Sequence, residues 1–253
     1  MTEISMVREV PLPRWVPAML SFVAGYIDIY TFLALFGLFV AQVTGSFVTA
    51  GAELVTHDAG IAGKVLAILA FIIAAALTAG LLTMAHERGH AVLPLMLALE
   101  TALLAVFTLI VLAGPPIRGP DDWHGIVAGM FGAMAMGAQS VIVRMHMRGV
   151  PQTNVMTGNM TQLAIETTAL IFAWRRHARN PEDLNHIGEF AAVRSRIAVV
   201  LAIAIGFLLG TVCGAVSYAK AGLAGAPLAV VIVAALALWA ARHERPGQLR
   251  KRR

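Results

Sequence analysis

The sequence predicts an all-α membrane protein of about six transmembrane helices, arranged as two inverted three-helix repeats, each with a broken or re-entrant helix at a Thr-Gly-[Ser/Asn] motif. Three observations predict it. Hydrophobic residues make up 58% of the chain and charged residues only 13%, with mean hydropathy +0.77; a soluble domain carries about 25% charged residues, so too few are present to cover a soluble surface. Apolar runs of near ~20 residues recur, long enough to cross a ~30 Å hydrocarbon core, and the alternating ten-residue strands of a barrel do not. The overlong apolar stretch 25–54 returns in degraded form at 137–166.

In order, Pro11 and Pro13 close an N-terminal tail, 1–14, and Trp15 is placed as an interfacial anchor. No short apolar segment with a small-residue cleavage site precedes the first span, which reads as an uncleaved anchor. Spans are expected near 15–35, 61–84, 91–113, 123–143, 197–219 and 223–241. The polar turn His86-Glu87-Arg88-Gly89-His90 separates the second and third, and a turn with Pro115, Pro116 and Pro120 separates the third and fourth, since proline cannot continue a helix. Short helical segments are expected after Thr44 and Thr157, and 175–196 reads as a solvent-exposed loop. The whole of 15–241 forms a single transmembrane domain, with repeat 1 at about 15–113, repeat 2 at about 123–241, and a basic tail at 242–253.

With six spans, every Lys and Arg except Lys64, Arg118 and Lys220 falls on one side, which by the positive-inside rule is the cytoplasm, with both termini there. An eight-span arrangement, in which both short segments also cross, gives nearly as good a split. Six is preferred because those segments are short, polar along one face, and begin with helix-start residues. The net charge of +5 follows from these loop residues and not from a nucleic-acid surface. The one cysteine, Cys213, sits among small residues in an apolar run and reads as packing.

The two copies align Gly25 with Gly137, Asp28 with Ser140, Thr44-Gly45-Ser46 with Thr157-Gly158-Asn159, Thr49 with Gln162 and Glu53 with Glu166. Further on, Ala70-Phe71, Ala74 and Thr78 align with Gly206-Phe207, Gly210 and Gly214. An odd number of spans per copy inverts the second copy, and helix breaks at matching positions of inverted repeats mark midplane binding sites. Gly45 and Gly158 permit unusual backbone angles. Ser46 and Asn159 suit helix N-caps, and Asn159 with Gln162 fits a capping pair. Ser46, Thr49 and Glu53 fall at i, i+3 and i+7 on one face, as do Asn159, Gln162 and Glu166. Such faces line a cavity or another helix, because lipid cannot satisfy them.

The expected path-lining residues are therefore Asp28, Thr44, Ser46, Thr49, Glu53, Gln139, Thr157, Asn159, Gln162 and Glu166. Asp28 and Glu100 lie mid-span and are the candidates for proton coupling; a lone charge at that depth costs at least ~2.5 kcal/mol, so Asp28 is expected to be protonated or paired, with Arg144 or Tyr30 as partner. Gly206, Gly210 and Gly214 form a close-packing stripe. His86-Glu87-x-x-His90 has the letters of a zinc-hydrolase motif, but Gly89 and the nearby Pro94 suggest a turn. No enzyme, cofactor or metal site is expected.

At these motifs the chain resembles the YoaK family, bacterial membrane proteins of unknown function. The likeness rests on Gly25-Tyr26-Ile27-Asp28, the run 33–40, Thr44-Gly45-Ser46, Gly137-Ala138-Gln139-Ser140 and Val155-Met156-Thr157-Gly158-Asn159, and covers about 14–241. Ser46 and Ser140 stand where members usually carry Asn. The resemblance implies a bacterial inner-membrane protein of about six spans. Two functions fit: a small secondary transporter or carrier with a midplane site at the two breaks, or a non-transporting scaffold or regulator acting through 175–196 and the basic tail. The expected partners are the bilayer, anionic lipid at the tail, and a second copy of the chain; nucleic acid is not one.

Overall fold

The computed structural model describes residues 12–147, 149–179 and 182–243; the expected basic tail and most of the N-terminal tail lie outside them. The described residues form α-helices and no strand: α1 (Trp15–Ala34), α2 (Val43–Thr56), α3 (Ile61–Glu87), α4 (Val92–Ala113), α5 (Trp123–His146), α6 (Met156–Arg179), α7 (Leu184–Ala221) and α8 (Pro227–His243), with a 3-10 turn at Gly222–Gly225 before α8. Helices α1, α3, α4, α5 and α7 are long and apolar enough to cross a membrane, and α8 is apolar but shorter, at 17 residues. The chain is thus a multi-pass membrane protein by helix length and composition.

Two expectations need correcting. The segment 175–196 is not a loop. Helix α6 runs through it to Arg179 and α7 restarts at Leu184, where the Asp183 carboxylate accepts from Asn185 N–H at 2.8 Å and caps the new helix. At ~1.5 Å per residue, α7 is on the order of 57 Å long, well beyond one hydrocarbon core. Arg176 pairs with Glu189, and the His177 ring stacks on Phe190 with centroids 5.7 Å apart, tying the polar ends of α6 and α7 together. The helix breaks, too, lie earlier than expected. Residues 35–42, 147 and 149–155 are non-helical, whereas Thr44-Gly45-Ser46 and Thr157-Gly158-Asn159 sit inside the first turns of α2 and α6. α1 ends because Phe36 and Gly37 take φ +53° and +81°, a left-handed termination in which Gly37 N–H bonds Phe32 O at 2.9 Å.

Glycine lets the helix backbones touch. A Cβ on Gly206, Gly210 or Gly214 of α7 would lie 2.4, 2.0 or 2.7 Å from Ala18 O, Phe22 O or Tyr26 O of α1. Both sets of numbers rise together, so α1 and α7 run parallel. A Cβ on Gly63 would meet Ile126 at 3.4 Å and one on Gly137 would meet Phe71 O at 2.6 Å, so α3 and α5 are parallel as well. By contrast, α1 and α5 are antiparallel: Gln139 Nε2 donates to Leu20 O at 3.0 Å, while a Cβ on Gly125, near the start of α5, would lie 3.7 Å from Leu35, just past the end of α1. The expected role of the 206–214 stripe in close packing holds.

The interior is filled by Tyr26, Tyr30, Leu20, Phe107, Met96 and Met136. Tyr30 donates to Gly222 O at 2.7 Å, and Tyr26 Oη lies 2.7 Å from Ser217 Oγ and 2.8 Å from Gly225 O, so the turn into α8 is satisfied from α1. At the other end, Arg14 donates to Ser195 Oγ at 2.8 Å and Trp15 packs edge-on to Trp239. The His86–His90 segment closes α3 and turns at Gly89, φ +72°.

The glycine contacts make a prediction. Gly210→Leu forces α1 and α7 apart and destabilises by about 1–3 kcal/mol through overpacking. Gly80→Leu, with nothing within 4 Å of its Cβ position, leaves the melting temperature of the detergent-solubilised protein unchanged.

Candidate functional site

The site is built where the two non-helical stretches meet. On the first, Asp28 is 2% exposed. Its Oδ1 accepts from the successive N–H groups of Val40, Ala41 and Gln42 at 2.9, 2.8 and 3.2 Å. The expected partner of Asp28 was Arg144 or Tyr30; the backbone takes that place, because three consecutive N–H groups ahead of α2 have no helix of their own to bond within. Ser46 donates to Phe39 O at 2.8 Å and accepts from Phe39 N–H at 3.1 Å. It therefore fastens the stretch to α2 and does not act as the expected N-cap; α2 shows no side-chain cap bond.

On the second stretch the same positions use neutral groups. Ser140, aligned with Asp28, accepts from Asn154 Nδ2 at 2.7 Å, and the neighbouring Gln139 donates to Thr153 Oγ1 at 2.7 Å. Asn159, aligned with Ser46, donates to Gln152 O at 2.7 Å, repeating the Ser46–Phe39 tie. Gln162 bonds Glu166 at 2.8 Å and not the backbone, so the expected Asn159–Gln162 capping pair does not form. The stretches also bind each other and their neighbours: Asn154 Nδ2 lies 3.3 Å from Ala41 O, and Ser21 Oγ lies 2.8 Å from Thr153 O and 2.9 Å from Ile203 O.

The acids of α2 and α6 point away from this centre. Glu53 pairs with Lys64 of α3, and Glu166 accepts from Arg196 Nε of α7 at 3.0 and 3.1 Å. Each ion pair joins the helix after a break to the longer helix that follows it; α6, at 24 residues, is longer than α1 and is not the short segment expected after Thr157. Thr49 bonds only its own helix, to Gly45 O at 3.2 Å. Glu100 is fully buried in α4, and neither carboxyl oxygen has a hydrogen-bond partner among the described residues.

A cavity of about 440 Å³ lies between the two stretches, with Gln42, Thr44, Ser140, Arg144, Gln152, Asn154 and Thr157 as its polar lining and Phe71 and Met145 among its apolar wall. A second, of about 480 Å³, lies between α6 and α7 and includes Asn159, Gln162, Glu166 and Arg196. Of the expected path residues, then, Thr44 and Thr157 line the central cavity. Asn159, Gln162 and Glu166 line the other. Asp28, Ser46 and Gln139 support the stretches from behind, and Thr49 and Glu53 belong to α2 and its tie to α3. Sequence reasoning missed Gln42, Gln152, Thr153 and Asn154 as site residues. The polar run Gln152-Thr153-Asn154 between Pro151 and Val155 was a signal, but its aligned partners Phe39, Val40 and Ala41 are apolar and offered none. Lys64 counts as a loop charge in sequence, although it is 2% exposed.

Residues 16–240 match the family described as "Protein of unknown function (DUF1275)", and the chain belongs to that family. Neither the curated proteins nor the solved structures contain a match to it.

If the Asp28 carboxylate holds the first stretch, its loss strands three N–H groups. Asp28→Ala is expected to destabilise by on the order of 3 kcal/mol, and Asp28→Asn, which keeps an acceptor oxygen but not the charge, by about half as much. Thermal melting of the two variants reads this ordering; equal melting of Asp28→Ala and wild type would remove the role.

Proposed function

We propose that this DUF1275 member is a carrier for small solutes, with a binding site near the membrane midplane where two re-entrant hairpins meet. The observation that carries this reading is the 440 Å³ cavity, whose polar lining comes from both non-helical stretches and the helices that hold them. Irregular backbone at membrane depth is tolerated where it is buried in protein or lines a water-filled space, and discontinuous helices at the interface of inverted repeats are a recurring construction of secondary transporters.

Helix directions support the hairpins. If α2 crossed the membrane, α1 and α5 would be four crossings apart and parallel; they are antiparallel. The chain reaches one face at Leu35, beside Gly60, Lys64 and Pro120. It returns to the depth of Asp28 at Val40–Gln42, and α2 then leads back toward α3. The second half repeats the course, with Asn159–Gln152 in place of Ser46–Phe39. Matched close approaches, Gly25 on Phe207 O and Gly137 on Phe71 O, support the internal duplication. The crossings are then α1, α3, α4, α5, α7 and α8. The face that receives Arg88, Arg144, Arg175, Arg176, Arg179, Arg194 and Arg196 is cytoplasmic by the positive-inside rule, in the inner membrane of a bacterium. The narrower likeness to the YoaK proteins belongs to this reading, since it rests on the same motifs. Alternating access would come from rocking α1 with α7 against α3 with α5. The scaffold reading has the joined ends of α6 and α7 as its surface, but gives no task to a polar cavity at the breaks.

Cysteines at Thr44 and Thr157, in a Cys213→Ala background, test the carrier. Both positions are exposed on the cavity wall, whereas Ser46 and Asn159 are buried. A membrane-impermeant maleimide is expected to label Thr44→Cys and Thr157→Cys in membranes and to spare Ser46→Cys. Failure to label either cavity position places the cavity away from water and overturns the carrier.

A further inference from the structure

The central cavity has a chemical bias that narrows what it holds. Arg144 is the one charged residue among those that line it. Arg144 is exposed there, and among the described residues its guanidinium makes no hydrogen bond or ion pair. Asp28 is buried behind the first stretch, and its Oδ1 is committed to three backbone N–H groups. The first-turn residues of two helices, Val43 and Thr44 of α2 and Met156 and Thr157 of α6, also line the cavity. Helix starts present unbonded N–H groups and the positive end of the dipole. Asp28 offsets part of this at α2, but nothing comparable stands at α6, where Ser140 takes the aligned place.

An independent feature faces the same space. Asn154 is 3% exposed and lines the cavity. Its amide is orientated by two donated bonds, to Ser140 Oγ at 2.7 Å and Ala41 O at 3.3 Å, which leaves Oδ1 as an acceptor without a partner. Gln152, on the same wall, also has Oε1 unpartnered. Both oxygens are closed off from water as well as unpartnered, which costs about 1–3 kcal/mol each, so an occupant whose donor draws either one to the cavity surface gains by supplying the missing bond. One side of the cavity therefore asks for negative charge and the other for N–H or O–H.

We propose that the cavity binds a small organic anion that also carries a hydroxyl or ammonium donor, with the anionic group on Arg144 and the start of α6 and the donor on Asn154 and Gln152. This rests on the carrier reading and goes beyond it by naming the substrate class.

The test uses the full chain in membrane vesicles, with Thr157→Cys in the Cys213→Ala background and Leu184→Cys on the α6–α7 turn as an exposed control. Rates are measured with an anionic sulfonatoethyl and a cationic trimethylammonium-ethyl methanethiosulfonate. Relative to the control, the cavity position is expected to favour the anionic reagent about tenfold, as a cleft lined by one sign of charge does. Arg144→Gln should abolish the preference and Arg144→Lys retain most of it. Lactate and glycine should slow modification several-fold, and propionate, a carboxylate without the donor, should not. Labelling without charge preference, or a preference indifferent to Arg144→Gln, overturns the anion site while leaving the carrier in place. Equal effects of lactate, glycine and propionate, including no effect from any, overturn the donor requirement. No labelling by either reagent falls on the carrier itself.

Discussion

Asp28 sits behind the first non-helical stretch, with one carboxylate oxygen bonded to three consecutive backbone N–H groups. Water would normally satisfy such groups, and lipid cannot. An interrupted helix at this depth needs an acceptor from elsewhere in the fold, and a carboxylate supplies charge-assisted bonds from a single side chain. α1 is held in turn against α7 by backbone-to-backbone contact at Gly206, Gly210 and Gly214, so the position of the carboxylate is set by rigid packing. The stretch it holds shapes one wall of the central cavity, and Ala41 O on that stretch receives Asn154 from the other wall.

The second half holds its stretch with uncharged groups and through side-chain contacts. Ser140 accepts from the Asn154 side chain, Gln139 reaches from α5 to both Thr153 and Leu20, and Ser21 of α1 bridges Thr153 and Ile203. The helix start at α2 has the Asp28 carboxylate close by, whereas at α6 the aligned residue is the neutral Ser140. The two outer ion pairs, Glu53–Lys64 and Glu166–Arg196, tie α2 to α3 and α6 to α7 and keep both glutamates out of the central cavity.

Much of the scaffold was legible in the sequence. The apolar runs locate α1, α3, α4, α5 and α8 to within a few residues, and the glycine stripe of α7 announces its packing on a neighbour. The matched motifs at Thr44 and Thr157 lie in the first helical turns that follow two non-helical stretches. They misplace the breaks by about a turn or two, because Ser46 and Asn159 look like caps locally while their bonds run backwards to Phe39 and Gln152. That tie is a tertiary hairpin contact with no periodic signature. The joined polar ends of α6 and α7 were read as a loop since charge density masks helix propensity in a segment that leaves the apolar core. The pairing of Asp28 was not legible at all: its partners are backbone N–H groups, and only the path of the chain brings them to it.

Whether each non-helical stretch doubles back, or α2 and α6 cross the membrane, decides the account. Single cysteines at Asp58, Gly89, Gly119 and Leu184, half-buried at Gly119 and exposed at the other three, between helices or at a helix start, can be labelled from either side of sealed, oriented vesicles. Doubling back puts Gly89 and Leu184 on one face and Asp58 and Gly119 on the other. Asp58, Gly119 and Leu184 on one face with Gly89 alone opposite would mean that α2 and α6 both cross, and would contradict it.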